Sequence, residues 1–219
     1  MLPGSRLSEI HQLGATFIDA ARRVEAEIPN LRIVVPAAND RCRRDIETIL
    51  KSAGPGTRDQ GPEAGSDTMP GPRSPVPGPV LLLDGHAHEA LVAADVVLVA
   101  SGTAALEAML AKRPMVVAYR ISPFTHAIVK GLGMLKTDNY SLPNILAGRT
   151  LVPELMQSNC TPDTLAAAIA DWFRSAGQRD ALIGEFERLH LALRAEHGAA
   201  TTAARVIGQM IASGETPQG

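Results

Sequence analysis

The chain has 219 residues, 45% of them hydrophobic and 20% charged, with a formal charge of −2, the balance of a globular protein able to bury a core. Lys and Arg are interspersed with Asp and Glu, so the basic stripe that would hold a phosphate backbone is missing and nucleic acid is not an expected partner. The most apolar stretch, Ala90 to Leu110, is cut by Asp95 and Glu107 and falls short of the ~20 apolar residues of a spanning helix. The first six residues carry no apolar signal core, which predicts a chain kept in the cytosol with reduced thiols. Cys42 and Cys160 stand alone, without the spacing of a metal site or an evident disulfide.

In chain order, Ile10, Leu13, Phe17, Ala21, Val24 and Ile28 recur every three or four residues, which puts them on one face of a helix ended by Pro29 and Asn30. Leu31 to Val35 is too short for a helix and, apolar and partly β-branched, predicts a strand covered on both faces. A helix from about Asp40 to Ser52 follows. Between Ala53 and Pro79 the composition turns to Gly, Pro, Ser and charge, with almost no large apolar side chains to offset the entropy of ordering, and predicts a flexible insertion.

Val80 to Asp84 resumes the apolar pattern. A short helix through Glu89 to Ala94, a buried strand from Asp95 to Ala100, a helix from Thr103 to Lys112 and a strand from Met115 to Tyr119 come next. Apolar strands alternating with helices predict an α/β fold, a doubly wound parallel sheet with helices on both faces. Beyond Tyr119 the pattern is helical. Thr161 is suited to an N-cap with Pro162 at the first helical position, and Leu165, Ile169 and Trp172 mark the buried face. Leu182, Phe186, Leu189 and Leu193 predict a second such face, and Val206, Ile207, Met210 and Ile211 a third.

Ligands of open parallel sheets sit at the carboxyl ends of the strands, where helix N-termini offer free N–H groups to phosphate. Two loops have that character. In Leu2-Pro3-Gly4-Ser5-Arg6, Gly4 allows close backbone approach, Ser5 can donate, and Arg6 can neutralise a phosphate. In Ala100-Ser101-Gly102-Thr103-Ala104-Ala105-Leu106-Glu107, a glycine turn and two hydroxyls open a helix that carries a carboxylate one turn in, within reach of a ribose diol. Each taken singly is also the vocabulary of an ordinary capped helix. His86 and His88, two apart, do not share a helix face and read as solvated or capping groups. Phe124, Ile128, Leu132 and Leu135, edged by His126, Lys130 and Lys136, form an apolar stripe suited to a core or to a membrane or acyl surface. Tyr119 and Arg120 at a strand end serve either a ligand or packing.

Together and in this order, Leu2 to Arg6, Ala100 to Leu110, Lys112 to Arg120, Ser141 to Arg149 and Val152-Pro153-Glu154-Leu155 resemble the lipid-A-disaccharide synthases. The resemblance runs from Leu2 to about Ile211 and skips the Pro/Gly-rich tract. It implies the C-terminal, Rossmann-like domain of a GT-B glycosyltransferase with C-terminal helices: a UDP-sugar-binding unit at 1–52 and 80–160, an insertion at 53–79, and helices over 161–213 packed on that unit. The implied reaction transfers diacylglucosamine from UDP-diacylglucosamine to diacylglucosamine 1-phosphate, with inversion and release of UDP, as a step of lipid A biosynthesis. The resemblance implies no cofactor and no metal, a cytoplasmic place that extends to the inner face of the inner membrane, and is compatible with a homodimer.

Carried over residue by residue, it puts Gly4, Ser5 and Arg6 along the diphosphate, Ser101, Gly102 and Thr103 on its other side, Glu107 at the ribose, and Asn144 in a Ser-Leu-Pro-Asn loop bordering the nucleotide-sugar. It further implies that the acceptor site and the general base belong to an N-terminal domain outside this chain, so that the chain alone is catalytically silent. A strand is expected ahead of Leu2, without which the sheet lacks an inner strand and exposes an edge. Two rivals stand beside this reading. Another UDP-sugar GT-B enzyme, such as a lipid-linked GlcNAc transferase or a UDP-GlcNAc epimerase, fits Ser141 to Asn144 and Lys112 to Met115 less well. The other rival is a truncated, non-catalytic UDP-binding module.

Overall fold

A computed structural model of the chain describes residues 1–52, 80–100, 102–120, 139–194 and 199–213. Helix α1 (Leu7–Glu27) buries Ile10, Leu13, Phe17, Ala21 and Val24 and is followed by strand β1 (Val34–Ala37) and α2 (Asp40–Ser52). Then come β2 (Leu81–Asp84), α3 (Ala87–Ala93), β3 (Val97–Ala100), α4 (Thr103–Leu110) and β4 (Met115–Tyr119). The chain continues through α5 (Leu142–Ala147), β5 (Glu154–Met156), α6 (Pro162–Arg174), α7 (Ala176–Leu193) and α8 (Ala199–Ser213).

Among the described residues all strand pairs are parallel: β1 with β2, β3 with β4, and β4 with β5. The first two residues link the two ladders. Leu2 N donates to Leu98 O at 2.8 Å and Leu2 O accepts from Ala100 N at 2.9 Å, a parallel bridge to Val99, while the Met1 amine donates to Val34 O at 2.6 Å. The spatial order is therefore β2, β1, Met1-Leu2, β3, β4, β5. The earliest segment is central and the chain winds outward from it on both sides, the arrangement of a Rossmann-like doubly wound sheet. One helical layer holds α1 with α2 and α6; the other holds α4 with α3, α5 and α7.

Burial follows the alternation of layers. Every residue of β3 is buried, as are the first four of β4, because helices cover both faces. Strand β2 departs from the expectation of strands covered on both sides: Leu81 is 54% exposed and no residue of β2 is fully buried. Apolar composition registers a strand but not its rank in the sheet, and β2 is at an edge.

Thr161 caps α6 as expected, its hydroxyl accepting from Thr164 N at 3.2 Å. Leu165, Ile169 and Trp172 are buried, with Trp172 Nε1 donating to Met115 O at 3.0 Å, so that the indole satisfies its one polar group inside the core. In α7, Leu182, Phe186 and Leu189 are buried but Leu193 is exposed. The third expected face fails more fully. Val206, Ile207, Met210 and Ile211 lie on the outside of α8, with Ile211 77% exposed; periodicity gave the stripe but carries no information about whether an element packs on it. The expected insertion 53–79 and the stripe from Phe124 to Leu135 lie outside the described residues.

Candidate nucleotide site

Because Leu2 and β3 pair in parallel, the loops that leave them emerge side by side at the carboxyl end of the sheet. This is also where the winding reverses direction, the place at which open α/β sheets form their ligand crevice. Pro3 to Arg6 leads into α1, and Gly102 leads into α4. Both turns use backbone that L side chains rarely adopt, Gly4 at φ +127° and Gly102 at φ +146°.

The two glycines differ in what surrounds them. A Cβ on Gly4 would lie 2.4 Å from Glu9 Oε2, whereas one on Gly102 would meet nothing within 4 Å. Gly4→Ala is therefore expected to combine backbone strain of about 1–3 kcal/mol with displacement of Glu9, and Gly102→Ala to bring the strain alone. Thermal unfolding of the two variants checks this; equal losses would show that the Glu9 contact has no energetic weight.

Glu9, in the first turn of α1, holds this loop and was not among the expected site residues. Its Oε2 accepts from Ser5 N at 3.0 Å and Arg6 N at 3.3 Å, and its Oε1 from the Arg6 guanidinium at 3.2 Å. The signal was available as a carboxylate three residues after the N-cap position, the spacing at which a side chain reaches back to cap a helix. The first intrahelical bond of α1 is Glu9 N to Arg6 O at 3.1 Å, and that of α4 is Ala105 N to Gly102 O at 3.2 Å. The amides ahead of these, of Leu7 and Ser8 and of Thr103 and Ala104, point out of the helix starts, the positive end of each dipole. Arg6 is 80% exposed at its side chain, and Ser5, Gly102, Thr103 and Glu107 are exposed as well. Ser101 lies outside the described residues.

Asn144 is in a different situation. It is fully buried, with both amide protons and its oxygen committed inside the protein: Nδ2 donates to Val152 O at 2.9 Å and Glu154 Oε1 at 2.7 Å, and Oδ1 accepts from Leu151 N at 2.7 Å and Val152 N at 3.0 Å. Glu154 also accepts from Tyr140 N, Ser141 N and Ser141 Oγ at 2.8, 2.9 and 2.6 Å. The Ser141 to Asn144 segment is thereby pinned to the start of β5, and α5, which it opens, packs on α4. With its hydrogen-bonding capacity used up, Asn144 shapes the loop from within.

Arg120 resolves toward packing. Its guanidinium donates to Cys160 O and, at 3.4 Å each, to Gln12 O and Thr16 Oγ1, tying the end of β4 to α1 and to the turn before α6. Cys160 is a buried thiol whose pKa burial pushes up, the Arg120 charge opposing; Cys42 is buried as well. His86, at the left-handed start of α3, meets Glu89 at 3.2 Å. Among the described residues, no cluster of three His, Cys, Asp or Glu side chains suits a metal, and no helix is long and apolar enough to cross a membrane.

The family model for lipid-A-disaccharide synthetase matches residues 1–58 and 78–196. The chain belongs to the lipid-A-disaccharide synthetase family. Members similar to it include the lipid-A-disaccharide synthase of Xylella fastidiosa (strain 9a5c), 46% identical over 96% of this chain and 49% of that protein. Those of Xanthomonas campestris pv. campestris (strain 8004) and Xanthomonas axonopodis pv. citri (strain 306) are 44% and 46% identical over 98% and 91% of this chain, and 44% and 41% of theirs. The chain thus spans about half the length of the curated synthases it matches. The family match breaks between 58 and 78, inside the Pro/Gly-rich tract, and both glycine loops fall within it.

Proposed function

We propose that this chain is the donor half of a lipid-A-disaccharide synthase, a glycosyltransferase that moves diacylglucosamine from UDP-diacylglucosamine to diacylglucosamine 1-phosphate and releases UDP. The supporting observation is the pair of glycine turns, Gly4 and Gly102, which bring two helix starts together where the sheet reverses. In this reading Gly4, Ser5 and Arg6, ahead of α1, serve one side of the diphosphate, Gly102 and Thr103 at the start of α4, together with Ser101, serve the other, and Glu107 accepts from the ribose hydroxyls. Asn144 acts by holding the Ser141 to Asn144 loop beside α4. Arg6 and the two helix dipoles stabilise the charge that grows on the leaving diphosphate, without a metal.

The same proposal assigns 1–52 and 80–160 to a Rossmann-like UDP-sugar unit, the C-domain of a GT-B enzyme, with 161–213 as its C-terminal helices, of which α6 and α7 pack against it, and 53–79 as an insertion. The acceptor and the general base are supplied from outside these residues. The work of the chain is cytoplasmic, with peripheral contact at the inner face of the inner membrane, where acylated substrates reside. The shared length of about half with its relatives also favours a second reading, a UDP-binding module that transfers nothing by itself. In an assay of UDP release with both substrates, the 219-residue chain alone is expected to stay at background; turnover near that of a full-length synthase would place a base within it.

Binding is tested by calorimetry with UDP and uridine. Arg6→Ala is expected to weaken UDP about ten- to a hundredfold and uridine little, since only the diphosphate presents the charge that Arg6 neutralises. Glu107→Gln is expected to weaken both ligands alike, as it removes a charged acceptor from the ribose. Unchanged UDP affinity in both variants would move the nucleotide elsewhere.

A further inference from the structure

The carboxylate of Glu9 lies on the donors that the loop ahead of α1 offers to an anion. Its Oε2 accepts from the amides of Ser5 and Arg6 at 3.0 and 3.3 Å, and its Oε1 from the Arg6 guanidinium at 3.2 Å. Successive amides converging on one oxygen, with a guanidinium on a second, are equally suited to a phosphoryl group. Here they close on a side chain of the protein itself.

Helix capping alone does not account for this arrangement. A capping box asks the N3 carboxylate to reach the N-cap amide, and that bond, to Arg6 N, is the longest of the three. The two shorter ones go to Ser5 N and to the guanidinium, groups that lie outside the helix start. Gly4 leaves the room, since a Cβ there would stand 2.4 Å from Glu9 Oε2. The first turn of α4 has no acidic residue, so no carboxylate of that turn competes on the other side.

The course of the loop is held by other bonds. Leu2 is fixed to β3 through both its amide and its carbonyl, and Ser5 O accepts from the buried Cys42 thiol at 3.5 Å. The start of α2 is set in turn by Asn39 Oδ1, which accepts from Arg41 N and Cys42 N at 3.1 and 3.0 Å. Glu9 can therefore leave while Ser5 and Arg6 keep their places. Its side chain is already 26% exposed, so rotation about its own bonds carries the carboxylate into water.

Taking the nucleotide to sit at the two glycine turns, the reading on which this inference rests, we propose that Glu9 is a resident anion. Its carboxylate holds the phosphoryl place until the diphosphate of UDP displaces it and takes over Ser5 N, Arg6 N and the Arg6 guanidinium. A carboxylate that stayed would set like charge against the diphosphate and leave it two amides short. An anion of single charge gains little by the exchange, whereas a diphosphate brings more charge and reaches α4 as well. Glu9 thereby tunes the affinity of the site for the charged part of its ligand.

Calorimetry and thermal unfolding of the 219-residue chain and its Glu9→Gln and Glu9→Ala variants test this, with UDP, uridine and inorganic pyrophosphate as ligands. Both variants are expected to unfold a few degrees lower, because α1 loses a charged cap. Both are nevertheless expected to bind UDP and pyrophosphate about tenfold tighter, through loss of a charge-assisted competitor, with uridine unchanged. A fixed cap gives the opposite, stability and UDP affinity falling together, and that result overturns the proposal. The carboxyl 13C resonance of Glu9 reads the parent chain directly: it is expected to move toward that of a solvated glutamate as UDP saturates the site, and a resonance that stays put overturns displacement. Arg6→Ala separates the two ways of failing. If it weakens UDP while the Glu9 variants do not strengthen it, the nucleotide stays where it was placed and the displacement is wrong. If all three variants leave UDP unaffected, or none of the proteins binds it, both readings fall.

Discussion

Asn144→Asp is expected to destabilise the protein by about 3–5 kcal/mol at neutral pH, the scale of an uncompensated buried charge, and to lower the unfolding midpoint by roughly 10 °C. The substitution is nearly isosteric, so packing is kept and the effect is electrostatic. The atom that now donates to Val152 O and to the Glu154 carboxylate becomes an acceptor facing two acceptors, one of them charged. Burial and the neighbouring carboxylate raise the pKa of the new aspartate in the folded state above its value in the unfolded chain. For an acid shifted upward, the penalty is absent below the unfolded pKa of about 3.9, grows as pH rises from there toward the folded pKa, and is complete above it. The deficit relative to the parent protein therefore shrinks on acidification from pH 8 toward pH 5. Asn144→Ala, which removes the bonds without adding a charge, gives a deficit that does not change with pH. Denaturant titrations of the three proteins across that range distinguish these outcomes, and a pH-independent Asn144→Asp deficit would refute the electrostatic account.

The second large effect resides in the amine of Met1. Lowered by burial from 8.0 to about 5, it binds fewer protons in the folded than in the unfolded chain between those values, so stability rises with pH across that window. At 1.36 kcal/mol for each pKa unit, the full difference is at most about 4 kcal/mol. Comparing the chain with its Nα-acetylated form isolates the amine, since acetylation alters that group alone. The acetylated protein is expected to be the more stable at pH 5–6 and to differ least at pH 8. A gap that is constant with pH would mean the amine stays charged and solvated.

Much of this molecule was legible in its sequence for identifiable reasons. The 3.6-residue period of α1 from Ile10 to Val24 and the unbroken apolar runs of β3 and β4 are local signals, and both glycine loops announce themselves by residue type. What stayed hidden depends on neighbours distant in the chain. The exposure of Leu81 follows from the place of β2 in the sheet, and that of Val206 and Ile211 from what does or does not pack on α8. Strand β5, three residues long, is below the length at which a periodic pattern can be read. Asn144 is the instructive residue of the site. Its motif marked it as bordering a ligand, yet its bonds to Val152 and Glu154 turn it inward, because a side chain beside a binding loop is recognised by position and not by the direction it faces.

The bridge between Leu2 and Val99 also has a kinetic meaning. These two residues are separated by roughly a hundred residues of chain, whereas β3 and β4 pair across little more than one helix, so the bridge closes the longest loop in the sheet and bears the largest entropic cost of closure. Contacts of such separation tend to slow folding, and the local βαβ units have every reason to form ahead of them. The two glycine turns meet only when that closure is made. If the proposed nucleotide site is right, competence to hold the ligand is thus acquired late, with the helices and most of the ladders already built, and UDP present during refolding is expected to act on the last step of the process rather than on its nucleus.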